Sequence, residues 1–490
     1  GFGSAKRLMQ AVAEGRLPES AVDARVDELL ELVFTTDAAV KAAPKRFDRD
    51  AHHALARRAA AESVVLLKNE DDLLPLKPGQ SVALIGDFAQ TPRYQGAGSS
   101  SVNATRVDNL KDAAEADDIT LAGFCAGYER SGTPNPAFVE EAAALARKAD
   151  VVVLCMGLDE SSESEGLDRS HICIPENQKQ LLEAVAQANE NLVVVLSAGS
   201  VVETGWVGRC KAVLHAYLGG QAGAGAIMDV LTGQVNPSGK LAETLPLTYE
   251  DTPAARYFPG KQQNVEYREG LYIGYRYYET AHVPVRYPFG YGLSYTTFAY
   301  SNLCLNASEI TDRDTLTATV TVTNTGSRFG KTVVQLYVGE KHSEVLRPVR
   351  ELKGFDKVAL QPGESKDVTF TLDKRAFAYW NAQIHDWHVK TGEFTIEVGQ
   401  SSRHIDVSAA VNVTSTVRVK KHYTMDTIFM DLMADPSAAA VMAPMLEVIK
   451  KTFSPDNAEN TDAAKEAISD EMNMACLLYT SPSPRDGLLS

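Results

Sequence analysis

Two periods of apolar residues divide this chain. From residue 49 to about 250, short continuous apolar runs alternate with helical patterns; from residue 315 the apolar positions fall on every second residue. The first kind of run occurs at 64–67, 81–85, 119–124, 151–155, 192–196 and 212–217, with helical segments at 51–62, 137–148, 176–189 and 225–232. Strands apolar on both sides, separated by helices, predict a mostly parallel sheet covered on both faces. In the second kind, Leu316, Ala318, Val320 and Val322 alternate with Thr317, Thr319, Thr321 and Thr323. Further runs follow at 333–338, 366–372, 393–398 and 405–411, divided by turn signals such as Asn324-Thr325-Gly326 and Pro362-Gly363-Glu364. This predicts an antiparallel β-sandwich of immunoglobulin or fibronectin type III kind.

Before these domains, residues 5–13 and 19–33 read as two amphipathic helices. Gly15 closes the first, Pro18 opens the second, and Val22, Val26, Leu29, Leu30 and Val33 form an apolar stripe on the second. Two helices cannot bury such faces alone, so they read as the end of a larger domain. The expected organisation is residues 1–34 as these helices, 35–48 a linker, 49–250 the α/β domain, 251–300 a Tyr-, Gly- and Pro-rich connector and 301–413 the sandwich. Residues 414–475 read as a helical and acidic tail, with a helix over 425–453. Residues 476–490 resemble the translation of a sequencing adapter and stand outside the fold argument.

Composition narrows the function. A net charge of −16 over 490 residues leaves no basic surplus for a nucleic-acid partner. No apolar run approaches a membrane span. Six scattered cysteines show no metal-ligand spacing and read as free thiols, which tilts localisation weakly to the cytoplasm. No cofactor or metal is expected. Two glycine-rich stretches, Gly96–Ser101 and Gly219–Gly225, lack the phosphate-binding fingerprints and read as tight turns and close helix–sheet packing. His52, His53, His171 and His215 read as structural or surface residues.

The loop after the apolar run at 151–155 carries candidate chemistry. It crowds Asp159, Glu160, Glu163, Glu165 and Asp168 into ten positions beside Arg169. Loops at the C-terminal ends of parallel strands are where open α/β sheets place functional groups. Like charges so close predict that one acid keeps its proton near neutral pH, as a general acid must.

Several motifs together resemble glycoside hydrolase family 3, the β-glucosidase and β-xylosidase group, over about residues 5–410. They are Glu62-Ser63-Val64-Val65-Leu66-Leu67-Lys68-Asn69 with Leu74-Pro75-Leu76; Gln95-Gly96-Ala97-Gly98-Ser99-Ser100; and Glu165-Gly166-Leu167-Asp168-Arg169 with Ile174-Pro175 and Gln178. Asn236-Pro237-Ser238-Gly239-Lys240-Leu241 with Thr244 and Pro246, and the run from Tyr287 to Phe298, complete the set.

The resemblance implies that the first two helices are the last turns of a (β/α)8 barrel whose aspartate nucleophile lies outside this chain. It implies a retaining, exo-acting β-glycosidase, foremost a β-glucosidase, with a β-xylosidase as the alternative; a non-catalytic carbohydrate-binding or adhesion module is the reading from another class. Glu165 matches the family's acid/base, with Glu163 its rival. Asp168 and Arg169 are expected to brace the loop by pairing, and Tyr94 and Ser99 to line the sugar site. The expected partners are a β-linked oligosaccharide or aryl glucoside and the missing barrel in cis.

Overall fold

The computed structural model describes residues 4–42, 47–117, 119–260, 263–424 and 426–453. The acidic stretch after residue 453 and the adapter-like end lie outside the described residues. The chain begins with helices α1 (Ser4–Ala13) and α2 (Glu19–Ala42), neither of which buries a residue. Leu29, Leu30, Leu32, Val33 and Phe34 are exposed, so the predicted apolar stripe is uncovered. The expected linker at 35–48 is corrected here: α2 continues to Ala42. Its last turns hold alanines and an Asp37–Lys41 pair at 2.7 Å, spaced one helical turn apart.

The α/β domain opens with α3 (Arg49–Ser63), capped by Asp48, whose carboxylate accepts from the Asp50 and Ala51 amides at 3.0 Å each. There follow β1 (Val65–Asn69), β2 (Ser81–Ile85), α4 (Leu110–Ala116), β3 (Thr120–Cys125), α5 (Pro136–Ala146), β4 (Val151–Gly157), α6 (Glu176–Ala188), β5 (Leu192–Ser197), β6 (Ala212–His215) and α7 (Gly223–Leu231). The six strands form one sheet in the order β1-β6-β5-β4-β2-β3. All pairs are parallel except β1 with β6.

Side chains alternate between two cores, one per sheet face. Ile85, Val152, Leu154, Met156, Val194 and Leu196 pack with Leu181, Leu182 and Val185 of α6. Leu84, Val151, Val153, Val193, Val195 and Leu214 pack with Met228 and Leu231 of α7 and with Leu110 of α4. Full burial of each such side chain stabilises by about 1.5–3 kcal/mol. This is why these strands read as continuous apolar runs. All seven residues of β4 are buried, which fixes the origin of the acidic loop.

Strand β7 (Leu245–Pro246) lies at the end of the α/β stretch and pairs antiparallel with β8 (Val285–Tyr287) of the connector, which also holds α8 (Tyr275–Thr280). Next come β9 (Phe298–Leu305), β10 (Glu309–Thr311), β11 (Leu316–Asn324), β12 (Gly330–Glu340), β13 (Glu351–Leu360) and β14 (Ser365–Leu372), then α9 (Lys374–Phe377), β15 (Tyr379–Asn381), β16 (Asp386–His388), β17 (Gly392–Gly399) and β18 (Ile405–Thr414). Two sheets, β10-β18-β17-β12-β13 and β14-β11-β9, form the predicted sandwich. Leu316, Ala318, Val320 and Val322 are buried, and the intervening threonines face outward, where Thr319 and Thr369 hydroxyls pair across strands at 2.9 Å. Antiparallel pairing holds throughout except between β10 and β18, which run parallel.

Asn236 joins the two domains. Its Oδ1 accepts from Ser294 Oγ and the Tyr295 amide at 2.8 Å each, and its Nδ2 donates to the Phe329 carbonyl at 3.0 Å. Glu62 of α3 pairs with Lys331 of β12 and with Lys357 of β13, the latter at 2.6 Å.

The hairpin β15–β16 and the described residues from Ser415 form a separate compact unit. Trp380 and Trp387 pack edge to face across the hairpin, with ring centres 5.7 Å apart. The single helix expected over 425–453 is instead α10 (Phe429–Met433) and α11 (Pro436–Phe453), the second opening on Pro436, a residue suited to the first helical turn.

Candidate active site

The loop leaving β4 meets two other loops at the C-terminal edge of the sheet: the Gly-Ser loop after β2 and the turn after β5. Backbone bonds tie it at two points, the second of them within a parallel bridge. The Leu158 amide donates to Ser197 O at 3.0 Å, the Glu165 amide donates to Ala97 O at 3.2 Å, and Ala97 and Ser164 form a parallel bridge. Gly157, at φ +151, is required at the exit from β4, because a β-carbon there would lie 1.8 Å from Ser197 O.

Glu165 is exposed, and its carboxylate turns back onto the Gly-Ser loop. Oε2 accepts from the Ser99 amide at 2.7 Å and from the Ser99 hydroxyl. Gly98 makes this approach possible, since a β-carbon on it would stand 2.7 Å from both Cβ and Oε2 of Glu165. The Ser99 hydroxyl, then its amide, hold Glu165 below the usual glutamate range.

Glu163 faces the other way. Its side chain is only 9% exposed. Oε2 accepts from the Gly199 amide at 2.9 Å, and Oε1 from Ser200 Oγ at 2.5 Å. Nη2 of the buried Arg93 stands 3.9 Å from Oε2. With both oxygens engaged, Glu163 is poorly placed to exchange a proton with a ligand in solvent.

The expectation that crowding raises one loop acid is corrected by this arrangement. Each carboxylate has its own surroundings. Asp159 is partly buried, which opposes ionisation, yet bonds from Ser162 and Ser161 hold it below its ordinary value. Glu160 pairs with Arg130 at 3.3 Å. Asp168 is exposed. Bracing of the loop by an Asp168–Arg169 pair is likewise corrected: among the described residues no such ion pair forms. Arg169 instead donates through Nη1 to Ser200 Oγ at 2.7 Å and to Val201 O at 2.9 Å.

An acid that is raised lies beside the loop rather than in it. Burial, then the nearby charge of Glu163, pushes Glu243 up to about 7, with Arg169 acting against the shift. Neither Glu243 nor Arg93 nor the Gly199-Ser200 turn was singled out in the sequence. The available signal was position, since Ser197–Ser200 and Arg93 follow apolar runs at the same sheet edge as Glu165.

Of the expected sugar-site residues, Ser99 is brought against Glu165. Tyr94 is half-buried, its hydroxyl bonded to Gln95 Nε2 at 2.9 Å and its carbonyl to the Gly220 amide at 2.9 Å. With Arg93, Ser197 and Tyr217 it lines a cavity of about 30 Å³, room for little more than water. His53 sits between Asp108 (2.7 Å) and Gln221 (2.9 Å), and His215 is buried, both in structural settings. Among the described residues no group of three or more His, Cys, Asp or Glu could hold a metal ion. No helix among them is long and apolar enough to cross a membrane.

Residues 64–295 match the glycosyl hydrolase family 3 C-terminal domain, and residues 332–402 match a fibronectin type III-like domain. The chain is 48% identical over 466 residues to thermostable beta-glucosidase B of Acetivibrio thermocellus, covering 94% of this chain and 61% of that protein. It is 43% identical over 448 residues to an exo-alpha-(1->6)-L-arabinopyranosidase of Bifidobacterium breve, covering 89% of this chain and 58% of the relative. Among solved structures, a GH3 beta-glucosidase of Bifidobacterium adolescentis superposes with a TM-score of 0.83 at 41% identity, covering 90% of this chain and 65% of that one. The chain thus spans about three fifths of the length of the curated relatives it matches.

Proposed function

Given that the chain belongs to glycoside hydrolase family 3, we propose that it supplies the acid/base half of a retaining, exo-acting β-glycosidase. Glu165 is the acid/base, and the substrate is a terminal non-reducing β-D-glucosyl residue. The observation that carries this reading is the contrast within one loop. Glu165 presents an exposed carboxylate at the C-terminal edge of the sheet, whereas Glu163, its rival, has both oxygens committed to backbone and side-chain donors.

The reaction requires a second carboxylate about 5–5.5 Å from the first, on the opposite side of the anomeric carbon. In this reading it is an aspartate of a barrel outside this chain. That carboxylate attacks the anomeric carbon while Glu165 gives its proton to the leaving oxygen; Glu165 then takes a proton from the water that resolves the glycosyl-enzyme. Alone, Glu165 sits below the usual glutamate range on its bonds to Ser99. To donate, it must leave Ser99, and the anionic nucleophile and the sugar that excludes water both favour its protonated form. Ser99 thereby serves as the resting partner that the substrate displaces. Tyr94 remains a weaker candidate for sugar contact.

The test uses a chain completed with a barrel. Glu165→Ala should slow hydrolysis of glycosides with poor leaving groups by about 10²–10⁴-fold and of activated aryl glycosides much less. Azide should restore turnover, since it attacks the glycosyl-enzyme without a base. Equal losses on both substrates with no azide rescue would remove the role from Glu165. The same assay on aryl β-glucoside, aryl β-xyloside and aryl α-L-arabinopyranoside decides the sugar, the last because a relative bears that activity in its name.

A further inference from the structure

Glu163 and Arg93 hold buried charge that the acid/base role of Glu165 leaves unused. Glu163 lies two residues before Glu165 in the same loop, yet the two side chains point to opposite environments: one is nearly sealed, the other open to solvent. Three loops converge on the sealed one. The turn after β5 contributes the Gly199 amide and the Ser200 hydroxyl. The loop after β2 contributes Arg93, which is 3% exposed. Arg169, further along the acidic loop itself, bonds the same Ser200 hydroxyl, so that oxygen donates to Glu163 and accepts from Arg169.

The loop after β2 therefore meets the acidic loop at two places, by charge attraction at one and by hydrogen bonds at the other. Arg93 faces Glu163 at one end, and Ser99 bonds Glu165 at the other, with the Ala97–Ser164 bridge between them. Burial of a carboxylate is tolerable only with this much compensation. A pure packing role would need none of it; an apolar side chain would fill the same space.

We propose that Glu163 is a positioning residue, which with Arg93 clamps the acidic loop to the sheet edge and so holds the Glu165 carboxyl against Ser99. The proposal rests on the reading of Glu165 as the acid/base, but its test does not depend on turnover. Glu163 touches no reacting atom in it. Its effect passes through the placing of the loop.

The chain as it stands is the sample, with variants Glu163→Ala, Glu163→Gln and Arg93→Lys. Two measurements are made: amide hydrogen exchange by peptide, and the pH titration of the Glu165 carboxyl by ¹³C NMR, with the signal assigned by its loss in Glu165→Gln. In Glu163→Ala, exchange over residues 159–168 and at Ser99 should rise by about tenfold or more, while β4 and β5 stay protected. The Glu165 titration should move up toward the ordinary glutamate range. Glu163→Gln, which keeps an acceptor for the Gly199 amide, should recover at least half of the loop protection, and Arg93→Lys, which keeps the charge, should behave likewise.

A merely structural role gives a different pattern. If Glu163→Ala lowers the melting temperature and raises exchange evenly across the sheet, with Glu165 titrating as before, the clamp is refuted. It is equally refuted if Glu163→Gln behaves as Glu163→Ala does. Failure of azide rescue in the Glu165 experiment would dispose of the acid/base reading while leaving these exchange and titration results standing on their own.

Discussion

At the scale of single residues, the structure separates carboxylates that the sequence lists side by side. Spacing alone made five acids look equivalent. Their partners come from far along the chain, Ser99 for Glu165 and Gly199 for Glu163, and no local pattern announces them. Glu243 was invisible for the same reason: its elevation comes from burial beside Glu163, which is a tertiary fact. That elevation has a definite sign in stability. Glu243 is raised to about 7 from an ordinary 4.5, so between those pH values the folded chain holds a proton that the unfolded chain has released. Stability from this group is therefore present below about pH 4.5 and is lost as pH rises through about 7. Allowing for its partial contact with solvent, the loss is about 2 kcal/mol. Urea unfolding of wild type and Glu243→Gln at pH 5 and pH 8 checks it. The variant should gain on wild type between the two values by about that amount; an unchanged difference would mean that Glu243 ionises normally.

At the scale of elements, legibility followed burial. Strands β2, β4 and β5, apolar on both faces, were evident from composition, and β11 from its strict alternation. Strand β13 was missed because it is an edge strand that carries Glu351, Lys353, Asp356 and Lys357, so its period is broken by charge. Strand β9, at one edge of the smaller sheet, was hidden for another reason: its alternation is interrupted at Asn302, at φ +54, where its register with β11 shifts. The Gly-Ser loop and the exit from β4 were recognisable as motifs, but the reason for their glycines is geometric. Two substitutions separate the causes. Gly157→Ala places a β-carbon into Ser197 O and should cost about 3 kcal/mol or more, because backbone must move. Gly166→Ala meets open space at φ +83 and should cost only about 1–2 kcal/mol of backbone strain. Denaturant midpoints of the two variants measure the contrast, and equal costs would show that the β4 exit relaxes.

At the scale of the whole molecule, an α/β domain and a sandwich were both legible because each has its own period and core. Their junction was legible only as a motif: Asn236 fastens the run from Tyr287 to Phe298, and Glu62 holds two lysines of the sandwich. The helices before them bury nothing, which fits the reading that their apolar stripe is made for a further domain. Retaining hydrolysis needs two carboxylates positioned about one anomeric carbon, and positioning alone can be worth several kcal/mol. The direct measurement is to purify residues 1–475 and assay an aryl β-glucoside and an aryl β-xyloside beside the same chain completed with a barrel. The account predicts no turnover by the chain alone, and turnover by the completed chain that Glu165→Ala lowers and azide restores. Turnover by the chain alone, abolished by substituting one of its own residues, would contradict it.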